Sequence, residues 1–262
     1  MTETVREQVR MGRLLPLGDP VPAGTGWIAE GAAREVLIGD VAGVPGTRVL
    51  RLRFAPDGDA APLGWEERPA AGLPRGAVRL EAEVLLSGEE PLPETADRVR
   101  TALTVGARTL SLPVTAVDVR VNGLLEPGTA DAAAPEGTEP DGTPTTVPDT
   151  PAARAPIGSD PTEGGDADPL ARAVVAALTA IAGVRGTVPF PGPAGRSVRI
   201  TPAGDTEWVE VQLALARASA TGTTIAEAAR AAAAAAGRRV RLLVVRLDGP
   251  EDDAEAGGAG GA

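Results

Sequence analysis

The chain has 262 residues, a net charge of −11 and no Cys, His, Tyr or Lys, so all 25 basic residues are Arg. Without Cys there is no disulfide framework and no thiolate metal site. Without His the usual general base and metal ligand near neutral pH is gone, so the expectation is a protein with no catalytic residue, no metal and no cofactor. With 3 Trp and 2 Phe, the core has to be aliphatic.

Divided by segment, residues 1–125 carry 17 acids against 14 Arg, residues 126–168 carry 10 against one, residues 169–249 carry 5 against 10, and residues 250–262 carry 4 against none. The acidity lies in tether-like stretches, and the second apolar-patterned part is mildly basic.

Residues 1–26 read as an N-terminal extension. Val5 and Val9 permit a turn or two of helix, which Arg6, Arg10 and Arg13 would suit to a membrane surface, but it is short and weakly apolar for that role. No apolar run approaches the ~18 residues of a membrane span, and no apolar stretch marks a signal peptide, so the expected location is cytoplasmic.

The first α+β domain is expected over 27–125. Ile28, Ala32, Val36, Leu37 and Val41 recur at helical spacing between Trp27 and Val44, with Gly43 as the stop. Leu50, Leu52 and Phe54 then alternate with Arg51 and Arg53 as in a half-buried strand. A Pro- and Gly-rich connection over 56–76 leads to a second strand, Val78, Leu80, Ala82 and Val84 against Arg79, Glu81 and Glu83. Antiparallel pairing would set Arg51 and Arg53 on one outer face with Glu81 and Glu83, a cross-strand arrangement that explains the carboxylates without catalysis. The next helix has Pro93 and Glu94 at its start and a stripe of Ala96, Val99, Leu103, Ala107 and Leu110. A strand with Val117, Val119 and Val121 on one face and Asp118 and Arg120 on the other ends at Asn122-Gly123.

Residues 126–168 are almost entirely Pro, Gly, Ala, Thr, Asp and Glu and read as a disordered acidic linker. The second α+β domain is expected over 169–249, and a disordered acidic tail over 250–262. The helix from Leu170 to Val184 points Val174, Leu178 and Ile181 inward. A hairpin turns around Pro202-Ala203-Gly204-Asp205 into a strand with Val209, Val211, Leu213 and Leu215 in the core. Thr224 and Glu227 read as a capping box for an Ala-rich helix ending at Gly237, and the near-continuous apolar strand from Val240 to Leu247 reads as central.

Each domain therefore reads helix, strand, strand, helix, strand: an internal duplication joined by a tether. Ala42-Gly43-Val44-Pro45-Gly46-Thr47 aligns with Ala182-Gly183-Val184-Arg185-Gly186-Thr187, Glu94 with Glu227, and Asn122-Gly123 with Asp248-Gly249. The two G-x-x-G stretches look like the nucleic-acid clamp of KH domains, but a strand follows where a helix should, so they read as glycine helix caps. Ser87, Ser111, Ser159, Ser197 and Ser219 have neither His nor Lys to activate them. The candidate anion or partner contact is Arg238, Arg239, Arg241 and Arg246, with dipole complementation of the preceding helix as the structural alternative.

The segment from Leu92 to Leu124, with Pro93, Glu94, Val99, Arg100, Val117, Val119, Val121 and Gly123, resembles the closing part of the alkaline-shock-protein family of envelope-stress proteins. The stretch from Trp27 to Gly46 is similar to that family's first helix and closing glycine. A divergent two-copy bacterial group labelled nucleopolyhedrovirus-type is similar in layout. The resemblance implies a small α+β fold, no catalysis, self-association and a protein partner, a family paralogue or a membrane-anchored protein, that holds the chain at the cytoplasmic face of the membrane. The expected function is thus a stress-associated or scaffold protein acting through protein contacts; the alternative is a nucleic-acid or anionic-surface binder using the basic second domain.

Overall fold

The structure, a computed structural model, describes residues 12–58, 68–69, 71–125, 168–191, 195–203 and 206–249. The fold is α+β with two mixed sheets. The reading of 126–168 as a disordered linker falls outside the described residues except for Asp168, and the tail 250–262 falls outside them entirely.

The first unit runs α1 (Glu30–Ala42), β3 (Thr47–Pro56), β4 (Val78–Ser87), α2 (Leu92–Thr109), β5 (Val114–Leu125). Its sheet has the order β3-β4-β5, with β3 antiparallel and β5 parallel to β4. The second runs α3 (Pro169–Thr179), β6 (Val184–Thr187), β7 (Val198–Ala203), β8 (Thr206–Ala216), α4 (Gly222–Ala236), β9 (Val240–Asp248). Both β6 and β7 are antiparallel to β8, and β9 is parallel to it. Because β6 pairs with Leu213 to Leu215 and β7 with Thr206 to Val211, the two lie end to end along one edge of β8. Together they fill the place that β3 fills along β4. The duplicated helix, strand, strand, helix, strand plan is therefore present, with the second copy's first strand interrupted. The tip of the predicted hairpin, Gly204 and Asp205, lies outside the described residues.

Aliphatic faces pack as their periods require. Val78, Leu80, Ala82 and Val84 are buried, as are Val209, Val211, Leu213 and Leu215, and so are Val99, Leu103, Ala107 and Leu110 from α2. Leu50 departs from this pattern at 41% exposed, because the bulge between Val49 and Arg51 takes it out of the alternation. The outer face of the first sheet pairs Arg51 with Glu83 and Arg53 with Glu81 in register, as the antiparallel reading requires. Its ion pairs, however, join Arg79 to Asp57 and Asp118, while Glu83 accepts a hydrogen bond from Asn122 Nδ2 at 2.9 Å.

Several expectations are corrected. The helix predicted from Trp27 begins at Glu30: Trp27, Ile28 and Ala29 close a buried strand, β2 (Gly24–Ala29), paired antiparallel with β1 (Leu14–Val21). On its other edge β2 runs parallel to β9, with Thr25 opposite Arg241 and Trp27 opposite Leu243. Residues 14–26, read as part of an extension, thus complete the sheet of the second copy in the order β1-β2-β9-β8-β6. A strand partner more than 200 residues away leaves no local signal. The helical turn read at Val5 and Val9 lies outside the described residues.

The capping box also shifts. Thr221, not Thr224, caps α4: its Oγ1 accepts the Thr224 N–H at 3.3 Å, and the Gly222 N–H is held by Ser111 Oγ at 2.7 Å. A contact from the first copy fixes where this helix starts, so Glu227 lies beyond its first turn.

The glycine alignment moves by three residues. Gly46 and Gly183 are the equivalent turn residues. Both have left-handed φ (68° and 89°), and their carbonyls accept the N–H of the last residue of β4 and β8, Ser87 and Ala216. Gly43, the cap of α1, has an ordinary right-handed φ of −71°, and its counterpart is Ala180. The left-handed glycine sits three residues past the cap. The glycine-cap reading is thus right about where α1 stops, whereas α3, predicted to run to Val184, stops at Thr179 and is capped by Ala180, with Val184 already in β6.

Candidate functional site

The four candidate arginines do not form one patch. Arg238, Arg239 and Arg241 stand at the start of β9, and Arg246 five residues further on, about 16 Å along an extended strand. Arg246 Nε lies 2.9 Å from Asp248 Oδ1, and Arg238 Nη2 lies 3.2 Å from Glu207 Oε2. Arg239 and Arg241 sit over the Trp208 ring, 4.2 and 4.7 Å from its centroid.

Arg241 is the most committed of them. At 3% exposed it donates from Nη1 to Glu210 Oε1 at 2.8 Å, directly across the β8–β9 ladder. The other oxygen of Glu210 takes two bonds from Arg199 on β7, from Nε at 2.9 Å and Nη2 at 2.7 Å, and Arg199 in turn lies 4.4 Å from the Phe190 centroid. Burial pushes the Glu210 carboxyl upward, but the hydrogen bonds and charges of Arg241 and Arg199 outweigh it, so the group is held below its ordinary range. Arg199, Glu210 and Trp208 escaped the sequence reading. Their signal was the alternation in β8: Trp208, Glu210 and Gln212 occupy the face opposite Val209, Val211 and Leu213, yet all three are buried.

The two sheets differ in what covers them. On the second, Arg75 lies 5.0 Å from the Trp27 centroid and reaches the carbonyls of Gly18 and Gly26. The Leu14 N–H bonds to Ala71 O and the Leu73 N–H to Leu14 O, so the described part of the Pro-rich connection lies against β1. On the first sheet, by contrast, Arg51, Arg53, Glu81, Asp118 and Arg120 are exposed on the outer face.

The edge strand β3 borders an open groove of about 830 Å³ lined by Arg13, Glu30, Arg34, Ile38, Leu50 and Phe54 among others. Glu30, largely buried, binds Arg13 at 3.0 Å and Arg34 at 2.7 Å. These arginines donate to the β3 carbonyls of Phe54 (2.6 Å) and Leu52 (3.2 Å), blocking part of that edge. Arg13, read as part of a membrane-surface helix, is thus an edge guard; Arg6 and Arg10 lie outside the described residues.

The chain matches no family model, no curated protein and no solved structure. Among the described residues, no helix is long and apolar enough to cross a membrane, and no three acidic side chains converge as a metal site requires. The described residues present an open charged sheet face, a groove, and arginines engaged with carboxylates and rings.

Proposed function

We propose that the chain is a non-catalytic stress-associated or scaffold protein that acts through protein contacts made by its first copy, in the cytoplasm and at the membrane only through a partner. The observation that carries this reading is the contrast between the two sheets. The central strands β8 and β9 of the second are buried on both faces, with Arg241 committed to Glu210, whereas the first leaves its outer face and a bordering groove open. The likeness of residues 27–125 to alkaline-shock proteins supports the same reading. The alternative, a nucleic-acid or anionic-surface binder, would draw on the positive charge of residues 169–249, but Arg238, Arg241 and Arg246 each already face a carboxylate.

The test is salt. Proteins recovered from cells on the immobilised chain should persist as ionic strength rises, and their recovery should fall when Arg53 and Glu81 on the open face are replaced together. Retention on a polyanion column that declines linearly in log salt and is abolished by Arg238→Ala with Arg239→Ala would contradict the proposal and favour the alternative.

A further inference from the structure

We infer that a second copy of this chain pairs with the outer edge of β5, antiparallel and about a two-fold axis at Val119, to make one continuous six-stranded sheet. The inference deepens the reading of the first copy as a contact surface, on which it rests, by naming one partner and one register.

The duplication supplies the first argument. β5 and β9 are equivalent strands, each parallel to the long strand of its own copy. The far edge of β9 is closed by β2, whereas among the described residues no strand pairs with the far edge of β5. The second copy therefore shows that this position, beside the same helix pair, accepts a further strand.

The second argument is hydrogen bonding. Val117 O accepts from Arg100 Nε at 3.4 Å, so Val117 turns its backbone groups away from β4, and in the paired sheet the Val121 N–H of the other copy replaces this long, exposed contact. By the period of two, Val119 and Val121 do the same. These three belong to the regular stretch between the bulges at Thr115 and Asn122. Val121 is 37% exposed, and Leu124 beyond it is 60% exposed.

Charge then selects the register. Two identical edges related by a two-fold axis pair antiparallel. Charges on an edge strand ordinarily prevent pairing, and here centring on Asp118 or Arg120 would oppose like charges. Centring on Val119 sets Asp118 of each chain opposite Arg120 of the other, on the outer face, and Val117 opposite Val121 on the inner. Val119 meets its own copy there, with outward N–H and C=O groups available on both sides. Among the described residues Arg120 forms no ion pair, and Asp118 pairs with the exposed Arg79.

The experiment is a charge swap read by sedimentation equilibrium. The wild-type chain should dimerise in a concentration-dependent way. Asp118→Arg and Arg120→Asp should each weaken the dimer about tenfold or more, since both cross-strand pairs become repulsive. Mixing the two variants, or combining them in one chain, should restore it, because each acid again faces an Arg. Both residues are exposed, and circular dichroism checks that the variants stay folded. A wild-type chain monomeric up to about 0.1 mM, or a dimer indifferent to either substitution, would overturn the inference. Neither result would touch the salt-resistant recovery of other proteins, which tests the broader reading separately.

Discussion

Glu210 shows how a single residue departs from its sequence context. In the pattern of β8 it is an ordinary outward carboxylate, yet it is 2% exposed and clamped between Arg199 and Arg241. Removing one partner of such a buried set leaves charge without compensation, which costs on the order of 3–5 kcal/mol. Glu210→Gln is expected to lower the urea-unfolding free energy by that order, with a larger effect than Glu81→Gln on the open face. The pH dependence follows from the lowered carboxyl. A group depressed in the folded state contributes stability that is fully present above its unfolded value, about 4.3. That contribution is lost as pH falls through the folded value. Acid titration of the wild type should therefore show a loss that Glu210→Gln lacks.

At the scale of elements, the turn before the first strand of each copy carries the plainest sign of duplication. A Cβ on Gly46 would lie 2.3 Å from Ser87 Oγ, and one on Gly183 would lie 2.2 Å from Ser219 Cβ, and both glycines have left-handed φ. Gly46→Ala and Gly183→Ala should each cost at least about 1–2 kcal/mol, while Gly43→Ala, at a right-handed cap, should cost little; thermal unfolding of the three variants measures this. Gly186, the residue the sequence alignment offered as the partner of Gly46, would have open space around its Cβ. Apart from β6, whose start was read as helix, and Leu50, the element order and core faces within each copy and the antiparallel register of β3 and β4 were legible because alternation and helical periodicity are local. The β1–β2 hairpin was not, since its strands are held by β9 and by the connection after β3, and Trp27 and Ile28 fit a helical spacing equally well. The start of α4 was hidden for the same reason: Ser111, which binds its first N–H, lies 111 residues away. For the arginines, sequence could place Arg238, Arg239 and Arg241 together but could not show that Glu210 and Trp208 wait across the ladder.

For the whole molecule, the decisive feature is an asymmetry laid over a repeat. One unit occurs twice, but the chain spends its N-terminal hairpin on the second copy, closing the edge of β9, while among the described residues no strand covers the matching edge of β5. The copies also meet where Arg217 pairs with Asp40 and Ser111 O accepts the Gly18 N–H, so each steadies the other. Closing one of two equivalent edges while leaving the other available is what the proposed contact role requires. Amide hydrogen exchange of the dilute full-length chain, read residue by residue, tests this most directly. Leu242, Leu243 and Val244 should exchange slowly throughout, bonded on both sides. In β5 the amides should alternate, with Asp118 and Arg120 protected by β4 and Val117, Val119 and Val121 exchanging quickly until the concentration is raised. Uniform protection along β5 in dilute solution, or fast exchange at every second residue of β9, would contradict the account.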